Sequence, residues 1–232
     1  MAVKPALQAE ELEALRRFDT CTVSNAIEAF AVRLRNTGFA DARIHCMFED
    51  LPPMVGYAAT ARLRSDDPPI ARDAYHDRSE WWKSILQIPP PRIVVLEDMD
   101  KPRGRGAFVG NVHGAILRGL GCVGYVTDGA VRHLTSVRAS GLQLFAGNVT
   151  VSHAYAHIFD FGQVVNIGGL EVRPGDLLHG DRHGLLSVPK KIASEIPAAA
   201  ATLQRREQRI IDLCQSKQFS VDKLSQIMKE SV

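Results

Sequence analysis

Short apolar runs alternate with amphipathic stretches through the centre of the chain. Three runs rich in β-branched and other apolar residues predict strands, at 92–98 (RIVVLED), 122–128 (CVGYVTD) and 142–147 (LQLFAG). The two stretches between them have helical spacing, at 111–121 (NVHGAILRGLG) and 131–141 (VRHLTSVRASG). The first helix has Val112, Ala115, Ile116 and Leu120 on one side. This β-α-β-α-β order predicts a parallel sheet with right-handed crossovers.

The segments before this unit predict three helices and one strand. A first helix is expected over residues 8–17, and a second begins after one of the N-cap candidates Asp19, Thr20 and Thr22. Residues 55–63 alternate like a strand, and a proline-bounded helix is expected over roughly 70–87. Trp81 and Trp82 lie on that helix, where we expect core or interface anchors.

After residue 150 the pattern changes to short alternating runs broken by Gly-Gly, Pro-Gly-Asp and His-Gly, which predicts antiparallel hairpins. From Lys190 onward the spacing is helical, with Ser220 as the expected N-cap of a last helix. We therefore predict an α/β protein with a central parallel βαβαβ unit and a helical C-terminal tail. The economical division is one domain over residues 1–232, with a core at about 18–190 and a tail at about 190–232.

The composition and the net charge of the chain argue against several classes of protein. The chain has 232 residues and a formal net charge of +2, so no strong field for nucleic acid or a membrane surface is expected. Its four cysteines form no Cys-x-x-Cys pair, and Cys46 and Cys122 are expected to be buried thiols in a reducing compartment. No stretch approaches the roughly 20 apolar residues that span a bilayer. We expect a soluble cytoplasmic protein.

Candidate chemistry lies where ligands collect in open α/β sheets, beyond the carboxyl ends of the strands. Two loops reach that edge, 99–111 and 128–133, and each leads into a helix N-terminus, which attracts anions. Arg132 adds a planar two-pronged donor for a carboxylate or phosphate. The combination predicts a small carboxylate ligand, although an arginine at this place also serves purely structural roles in many βαβ proteins.

Two stretches carry a family resemblance. GNVHGAILRGLGCVGYVTDGAVRHL, together with VRPGDLLHGDRHGLLSVP, resembles the RraA-like family, which includes the class II 4-hydroxy-4-methyl-2-oxoglutarate aldolases and the regulator of ribonuclease E activity. The family motif is an acid, twenty intervening residues, Arg-Asp, and a further acid three positions later. Arg132 matches the arginine, whereas Asn111, His133 and Ser136 stand at the three acidic positions. The likeness runs from about residue 18 to 190.

The resemblance implies a layered ββα, swivelling-domain-like fold and an enolate chemistry. It implies that Arg132 binds the substrate's carboxylate and carbonyl side and stabilises the enolate, while the next residue, His133 here, helps to hold a hydrated Mg²⁺ or Mn²⁺. The carboxylate cradle would be completed at the start of the preceding helix, by Gly110, Asn111, Val112 and His113. Family members form trimers or dimers of trimers, and Glu207 is the candidate acid that a neighbouring subunit would donate to the metal.

The three departures leave the metal question open, because magnesium prefers hard oxygen ligands. His133 could bind a softer ion such as Zn²⁺ or Mn²⁺, or it could act without metal as a general acid/base. Alternatively, the chemistry is lost and the fold is kept as a binding module. We therefore expect a lyase that acts on a small 2-oxo (di)carboxylic acid by retro-aldol cleavage or decarboxylation. The alternative is a non-catalytic small-molecule-binding or regulatory protein.

Other clusters of chemical side chains are interpreted as structural. His153 and His157 are four residues apart, a spacing that would place both on one face of a helix, but the segment is short and aromatic, so a packed loop is favoured. A second cluster contains Asp176, His179, Asp181 and His183. Here a hairpin turn is favoured, in which the carboxylates accept backbone N–H groups. A helical solvated face is expected from Asp73, Asp77 and Glu80.

Overall fold

The computed structural model describes residues 7–70 and 78–229. Its helices are α1 (Ala9–Arg16), α2 (Thr20–Glu28), α3 (Ser79–Gln87), α4 (Asn111–Gly119), α5 (Leu134–Ala139), α6 (Ile196–Gln215) and α7 (Val221–Lys229). Its strands are β1 (His45–Cys46), β2 (Met54–Arg64), β3 (Arg92–Asp98), β4 (Ala107–Val109), β5 (Cys122–Thr127), β6 (Ala130–Val131), β7 (Gln143–Ala146), β8 (Asn148–Val149), β9 (His157–Phe161), β10 (Val165–Ile167), β11 (Leu170–Val172), β12 (Leu177–Asp181) and β13 (Gly184–Val188).

The main sheet has the strand order β1-β7-β5-β3-β2-β12-β13, with β9 also paired to β2. Strands β2, β3, β5 and β7 are parallel to one another, which confirms the predicted β-α-β-α-β unit. Both faces of this sheet are covered. One carries the helices and the larger apolar core, and the other carries a smaller core under the β10–β11 hairpin. Burial on both sides explains why the central strands are almost continuous apolar runs.

The hairpins predicted after residue 150 are present, and their carboxylates support turns. Strands β10 and β11 pair antiparallel, as do β12 and β13, and β12 also joins the main sheet beside β2. Asp176 accepts the backbone N–H of Arg173 at 2.8 Å, and Asp181 accepts that of His183 at 2.8 Å. Buried His179 contacts Thr20 Oγ1 at 3.0 Å. The structural interpretation of this cluster therefore agrees with the contacts.

A second, three-stranded parallel sheet was not predicted. It consists of β4, β6 and β8, which follow β3, β5 and β7 along the chain. Each strand has only two or three residues, too few to give a periodic pattern. Because every member follows a parallel strand of the main sheet, the small sheet lies at the carboxyl edge. Its middle strand ends at Val131, one residue before Arg132.

The apolar side of α4 that the sequence shows is only partly buried. Its buried residues are Gly114 and Leu117, whereas Val112 and Ala115 are exposed. The buried side faces α5, and a Cβ on Gly114 would be in van der Waals contact with Val137, 3.4 Å from a methyl group. Leu120, at the end of the helix, is half-buried and packs against the larger core.

Two further predicted helices are present, and the start of the second differs from the prediction. The helix expected over roughly 70–87 is observed from Ser79 to Gln87; residues 71–77, with Asp73 and Asp77, lie outside the described residues. On that helix Trp81 is buried, as expected of a core anchor. The helix expected from residue 131 begins at Leu134, because residues 130 and 131 join the small sheet.

The remaining local predictions concern caps, histidines and cysteines. Asp19 caps α2 by accepting the N–H of Thr22 at 2.7 Å, and Ser220 accepts that of Lys223 at 3.3 Å. His153 lies in a loop and His157 begins β9, so the two do not share a helix face.

All four cysteines are free, but Cys46 is only half-buried, since β1 lies at the edge of the sheet. None of the described helices has the length and apolar character needed to cross a bilayer.

Candidate anion-binding site

Arg132 follows β6 directly and keeps donors that the described part of the chain does not use. Its backbone N–H donates to the carbonyl of Val109 at 3.1 Å, which fixes the residue to the neighbouring strand β4. Nη1 makes one long contact, 3.5 Å, with the carbonyl oxygen of Val151. Nε is buried and has no hydrogen-bond partner within residues 7–70 and 78–229. An unpaired buried donor is costly, so this guanidinium is suited to a ligand.

The first turn of α4 lies directly against Arg132. Gly110 is the N-cap, and no side chain caps the helix. A Cβ on Gly110 would lie 3.0 Å from His133 Cδ2, 3.3 Å from Arg132 Cγ and 3.4 Å from Arg132 Nε. The glycine therefore lets the helix start approach the arginine closely. Free N–H groups and the positive end of the helix dipole point to an anion at this place.

The residues that depart from the family motif lie beside this turn. His133 is the N-cap of α5 and has a left-handed backbone, with φ 55° and ψ 41°. That conformation costs a residue with a Cβ roughly 1–2 kcal/mol, and such strain is often kept at functional sites. Asn111 and Val112 are exposed at the start of α4, and Ser136 is exposed on α5.

A second guanidinium at this site was missed by the sequence analysis. Arg78 precedes α3, and its Nη1 donates to Nε2 of His113, in the first turn of α4. Arg78 also lies over the ring of Phe108, with its Cζ 4.8 Å from the ring centre, and the Phe108 and His113 ring centres are 4.7 Å apart. No local pattern marks Arg78, because these partners lie 30 and 35 positions along the chain.

The imidazole ring of His113, which contacts Arg78, is neutral. Burial lowers its pKa to about 4, and the positive charges of Arg78 and Arg132, together with His153, act in the same direction. Arginine can only donate, so Nε2 of His113 accepts and the ring proton lies on Nδ1. The first turn of α4 is therefore flanked by two permanent positive charges and one neutral imidazole.

The donor set of this site does not suit Mg²⁺. Across the described part of the chain, no group of three or more His, Cys, Asp or Glu residues is placed to hold a metal ion. The three motif positions supply an amide, an imidazole and a hydroxyl from Asn111, His133 and Ser136, and Mg²⁺ prefers hard oxygen ligands, often carboxylates. Glu207 is exposed on α6, which packs mainly on α2 and α7 and not at this site.

A second charged cluster lies close by at the carboxyl ends of β3 and β5, and it is paired within the chain. Asp128 accepts the N–H of Asp98 at 2.8 Å and forms an ion pair with Arg103, which also contacts Glu97 at 3.4 Å. Asp98 accepts the N–H groups of Asp100 and Gly104 at 3.0 and 2.7 Å. Burial raises the pKa of Asp128 to about 6 and also raises that of Asp98. We call these residues, Glu97, Asp98, Arg103 and Asp128, the paired cluster.

Comparisons with known proteins point to one family. A family model described as RraA-like, Aldolase/RraA, matches residues 20–186. A Halalkalibacterium halodurans protein provisionally named 4-hydroxy-4-methyl-2-oxoglutarate aldolase is 28% identical over 109 residues, which are 47% of this chain and 51% of that protein. The chain thus spans about half of that relative's length.

Two solved structures share the fold. An uncharacterized protein from Pseudomonas syringae has a TM-score of 0.74 at 22% identity, covering 98% of this chain and 96% of that one. Streptomyces coelicolor RraAS2, described as an unusual member of the RNase ES inhibitor RraA family, has a TM-score of 0.68 at 20% identity, covering 89% and 97%. These likenesses confirm the expected α/β fold.

Proposed function

The chain belongs to the RraA-like family, and from this premise we propose that it is a carbon–carbon lyase acting on a small 2-oxo acid. One observation carries the proposal. Arg132 has a buried Nε without a partner among the described residues, and it lies against the uncapped first turn of α4 across Gly110. This arrangement suits a carboxylate beside an oxygen that gains negative charge during a reaction.

In the proposed mechanism, the substrate carboxylate accepts N–H groups at the start of α4, and the 2-oxo oxygen faces Arg132. When the C3–C4 bond breaks, its electron pair moves into an enolate whose oxygen is stabilised by the guanidinium. In decarboxylation the C4 carboxylate leaves as CO₂; in retro-aldol cleavage a base first removes the C4 hydroxyl proton and a carbonyl compound leaves. A proton then returns to C3. His133, whose Cδ2 would lie 3.0 Å from a Cβ on Gly110, is the proposed carrier of these protons, because an imidazole can both accept and donate a proton at its ring nitrogens.

Class II aldolase relatives are typically metal-dependent, but the donors of this chain do not fit Mg²⁺, so no step above depends on a metal. If a divalent ion takes part, an acid from another subunit would have to complete its coordination. We propose Glu207 for that role, in a homotrimer or dimer of trimers. Exposed apolar residues beside the site support a subunit contact there: Val112, Val149, Val151 and Tyr155.

The test is pyruvate release from oxaloacetate and from 4-hydroxy-4-methyl-2-oxoglutarate, each with and without Mn²⁺. We expect turnover by the wild-type protein and a loss of about 100-fold or more in Arg132→Ala, because an enolate-stabilising charge is removed. Arg138→Ala is the matched control, since the ion pair that Arg138 forms with Asp50 lies at the exposed surface. A folded wild-type protein that releases pyruvate from neither substrate would disprove the lyase proposal.

A non-catalytic binding or regulatory role is the second candidate, and it is favoured by the loss of all three motif acids at Asn111, His133 and Ser136. This role predicts that His133→Asp combined with Ser136→Glu creates metal-dependent pyruvate release that the wild-type protein lacks. If the wild-type protein already releases pyruvate as fast as the double variant, the second candidate is wrong.

A further inference from the structure

A cavity of about 350 Å³ lies at the edge of the main sheet where the parallel strands begin. Four of the residues that line it show this position: Met54 at the start of β2, Pro91 just before β3, Val123 in the first part of β5 and Gln143 at the start of β7. Because these strands are parallel, the candidate anion-binding site lies at their other ends. We call this space the amino-edge cavity. Its volume is typical of small-molecule sites.

The lining of the amino-edge cavity is largely apolar. Met54 and Val55 are buried beneath it. A Cβ on Gly124 would overlap the sulfur of Met54, so the bare backbone of this glycine lets the thioether lie across β5. Pro53 and Pro91 also line the cavity, and their rings hold the backbone in one conformation. An apolar group placed here would leave water without having to order a flexible wall.

Two arginines, Arg16 and Arg118, line the same cavity, and none of the described residues around it is acidic. Arg118 donates Nη1 to the carbonyl oxygen of Cys122 at 2.8 Å. It forms no ion pair with any Asp or Glu among residues 7–70 and 78–229. Its one contact is to a neutral oxygen and leaves most of its N–H donors unused. The charge of Arg118 is therefore available to an anion in the cavity.

The charge of Arg16 is partly used. Its Nε donates to the carbonyl oxygen of Pro53 at 3.1 Å, and its Nη1 pairs with Glu13 at 3.0 Å. The ion pair with Glu13 is exposed on both sides, and exposed pairs of this kind are weak. Arg16 therefore adds positive charge to the cavity, but less of it than Arg118.

A cavity with an apolar lining and cationic side chains selects for an amphipathic anion. A guanidinium binds a carboxylate through two parallel hydrogen bonds. The apolar lining favours a hydrocarbon group, but it would leave a second ligand charge without a partner, which is costly. A small dicarboxylate, the class proposed for the candidate anion-binding site, is therefore a poor fit here.

We propose that the amino-edge cavity binds a small monocarboxylate with an apolar body. Its carboxylate pairs with Arg118, its hydrocarbon part lies against Met54 and Val55, and Arg16 adds a second, weaker attraction. Arg118 lies in the last turn of α4, whereas the candidate anion-binding site includes the first turn of the same helix. The two sites are therefore separate, and this inference does not depend on the lyase proposal.

The probe is 3-phenylpropionate, titrated into the folded protein and followed by calorimetry and by ligand-observed NMR. Two related compounds separate the contributions. The alcohol 3-phenylpropanol has the apolar body without the charge, and acetate has the charge without the body. We expect 3-phenylpropionate to bind, and both related compounds to bind at least about tenfold more weakly, because each lacks one of the two contacts.

Arg118→Gln removes the charge and should weaken 3-phenylpropionate about tenfold or more, whereas Arg16→Gln should weaken it by less. Arg118→Lys keeps the charge and should retain part of the affinity, which guards against a folding defect in Arg118→Gln. Arg33→Gln is the matched control. Arg33 also donates Nη1 to a backbone carbonyl at 2.8 Å, that of Ser187, but it does not line this cavity, so the variant should bind the probe like the wild type.

Oxalate, a small dicarboxylate without an apolar body, is the probe for the candidate anion-binding site. Arg132→Ala should lose oxalate binding and bind 3-phenylpropionate like the wild type. Loss of 3-phenylpropionate binding in Arg132→Ala would place this probe at the other site and overturn the inference. Unchanged 3-phenylpropionate binding without any oxalate binding would support the inference and count against the candidate anion-binding site.

Three further outcomes overturn the inference. They are no binding of 3-phenylpropionate, equal affinity for 3-phenylpropanol, and equal affinity of Arg118→Gln and the wild type for 3-phenylpropionate. The pyruvate-release assay reports separately on the proposed function. Binding of 3-phenylpropionate that depends on Arg118, in a protein that releases no pyruvate, would support the inference and contradict the lyase proposal.

Discussion

The paired cluster and the candidate anion-binding site lie at the same edge of the sheet, but they differ in how far their charged groups have partners. In the paired cluster, Arg103 lies between Asp128 and Glu97, and backbone N–H groups occupy the Asp98 carboxylate. In the anion-binding site, Arg132 has one long hydrogen bond and an unpaired Nε within the described part of the chain.

The difference shows why a charged residue at a strand end is not enough to identify a site. The paired cluster satisfies its own hydrogen bonds and therefore stabilises the loops that follow β3 and β5. The anion-binding site has a donor, Nε of Arg132, that no residue within 7–70 and 78–229 satisfies. Substitutions in the first region should therefore change folding stability, and substitutions in the second should change ligand affinity.

The largest expected effect on stability is that of Arg103→Ala. It would leave the nearly buried carboxylates of Asp128 and Glu97 without this partner, which should cost about 3 kcal/mol in free energy of unfolding at pH 7. Oxalate affinity should stay unchanged. Urea unfolding checks this against Arg173→Ala, whose ion pair with Glu171 is exposed on both sides and should matter by less than about 0.5 kcal/mol. An equal loss of unfolding free energy in both variants would contradict the claim that the paired cluster stabilises the fold.

Asp128→Asn should change the pH dependence of stability. Burial raises the pKa of Asp128 from 3.8 to about 6, so the folded chain holds this proton more tightly than the unfolded chain does. The stabilisation is therefore complete below about pH 4 and is lost as pH rises to about 6. Between pH 4 and 7 the wild type should lose about 2 kcal/mol relative to Asp128→Asn, measured by urea unfolding. A stability difference that is constant across this range would contradict the prediction.

Gly110→Ala should lower ligand affinity at the candidate anion-binding site. The added methyl group would lie 3.0 Å from His133 Cδ2 and 3.3 Å from Arg132 Cγ, so both side chains would have to shift by a few tenths of an ångström, which displaces the donors of Arg132 from the helix start. We expect about a tenfold loss of oxalate affinity, or about 1.4 kcal/mol. Gly119→Ala is the control on the same helix, because nothing lies within 4 Å of its added methyl group. If both variants bind oxalate like the wild type, Gly110 has no role in shaping the site.

The smallest expected change is a gain of stability in His133→Gly. Its φ of 55° strains any residue that has a Cβ, so glycine should stabilise the fold by about 0.5 kcal/mol. Pyruvate release should fall at the same time if the imidazole carries protons. Thermal unfolding and the release assay give the two readouts. A variant that is less stable and equally active would show that His133 is structural.

The sequence indicated the regular part of the fold well. Residues 92–98 were predicted as a strand and match β3 (Arg92–Asp98), and 142–147 contains β7 (Gln143–Ala146). Because such strands are buried on both faces, nearly all of their residues are apolar, and the run of apolar residues can be recognised in the local sequence. The buried face of α4 was not predictable in this way, because it depends on contact between Gly114 and Val137.

By itself, the sequence determined the order of strands and helices in the central βαβαβ unit, the family resemblance, and the placement of Arg132 after a strand and near a helix start. Only the tertiary structure decided which charges are paired. It brought Arg78 to His113 across 35 positions, formed the small sheet that positions Arg132, and closed the paired cluster. The physical reason is that apolar periodicity is a local property of the chain, whereas the partner of a charge depends on where distant segments meet.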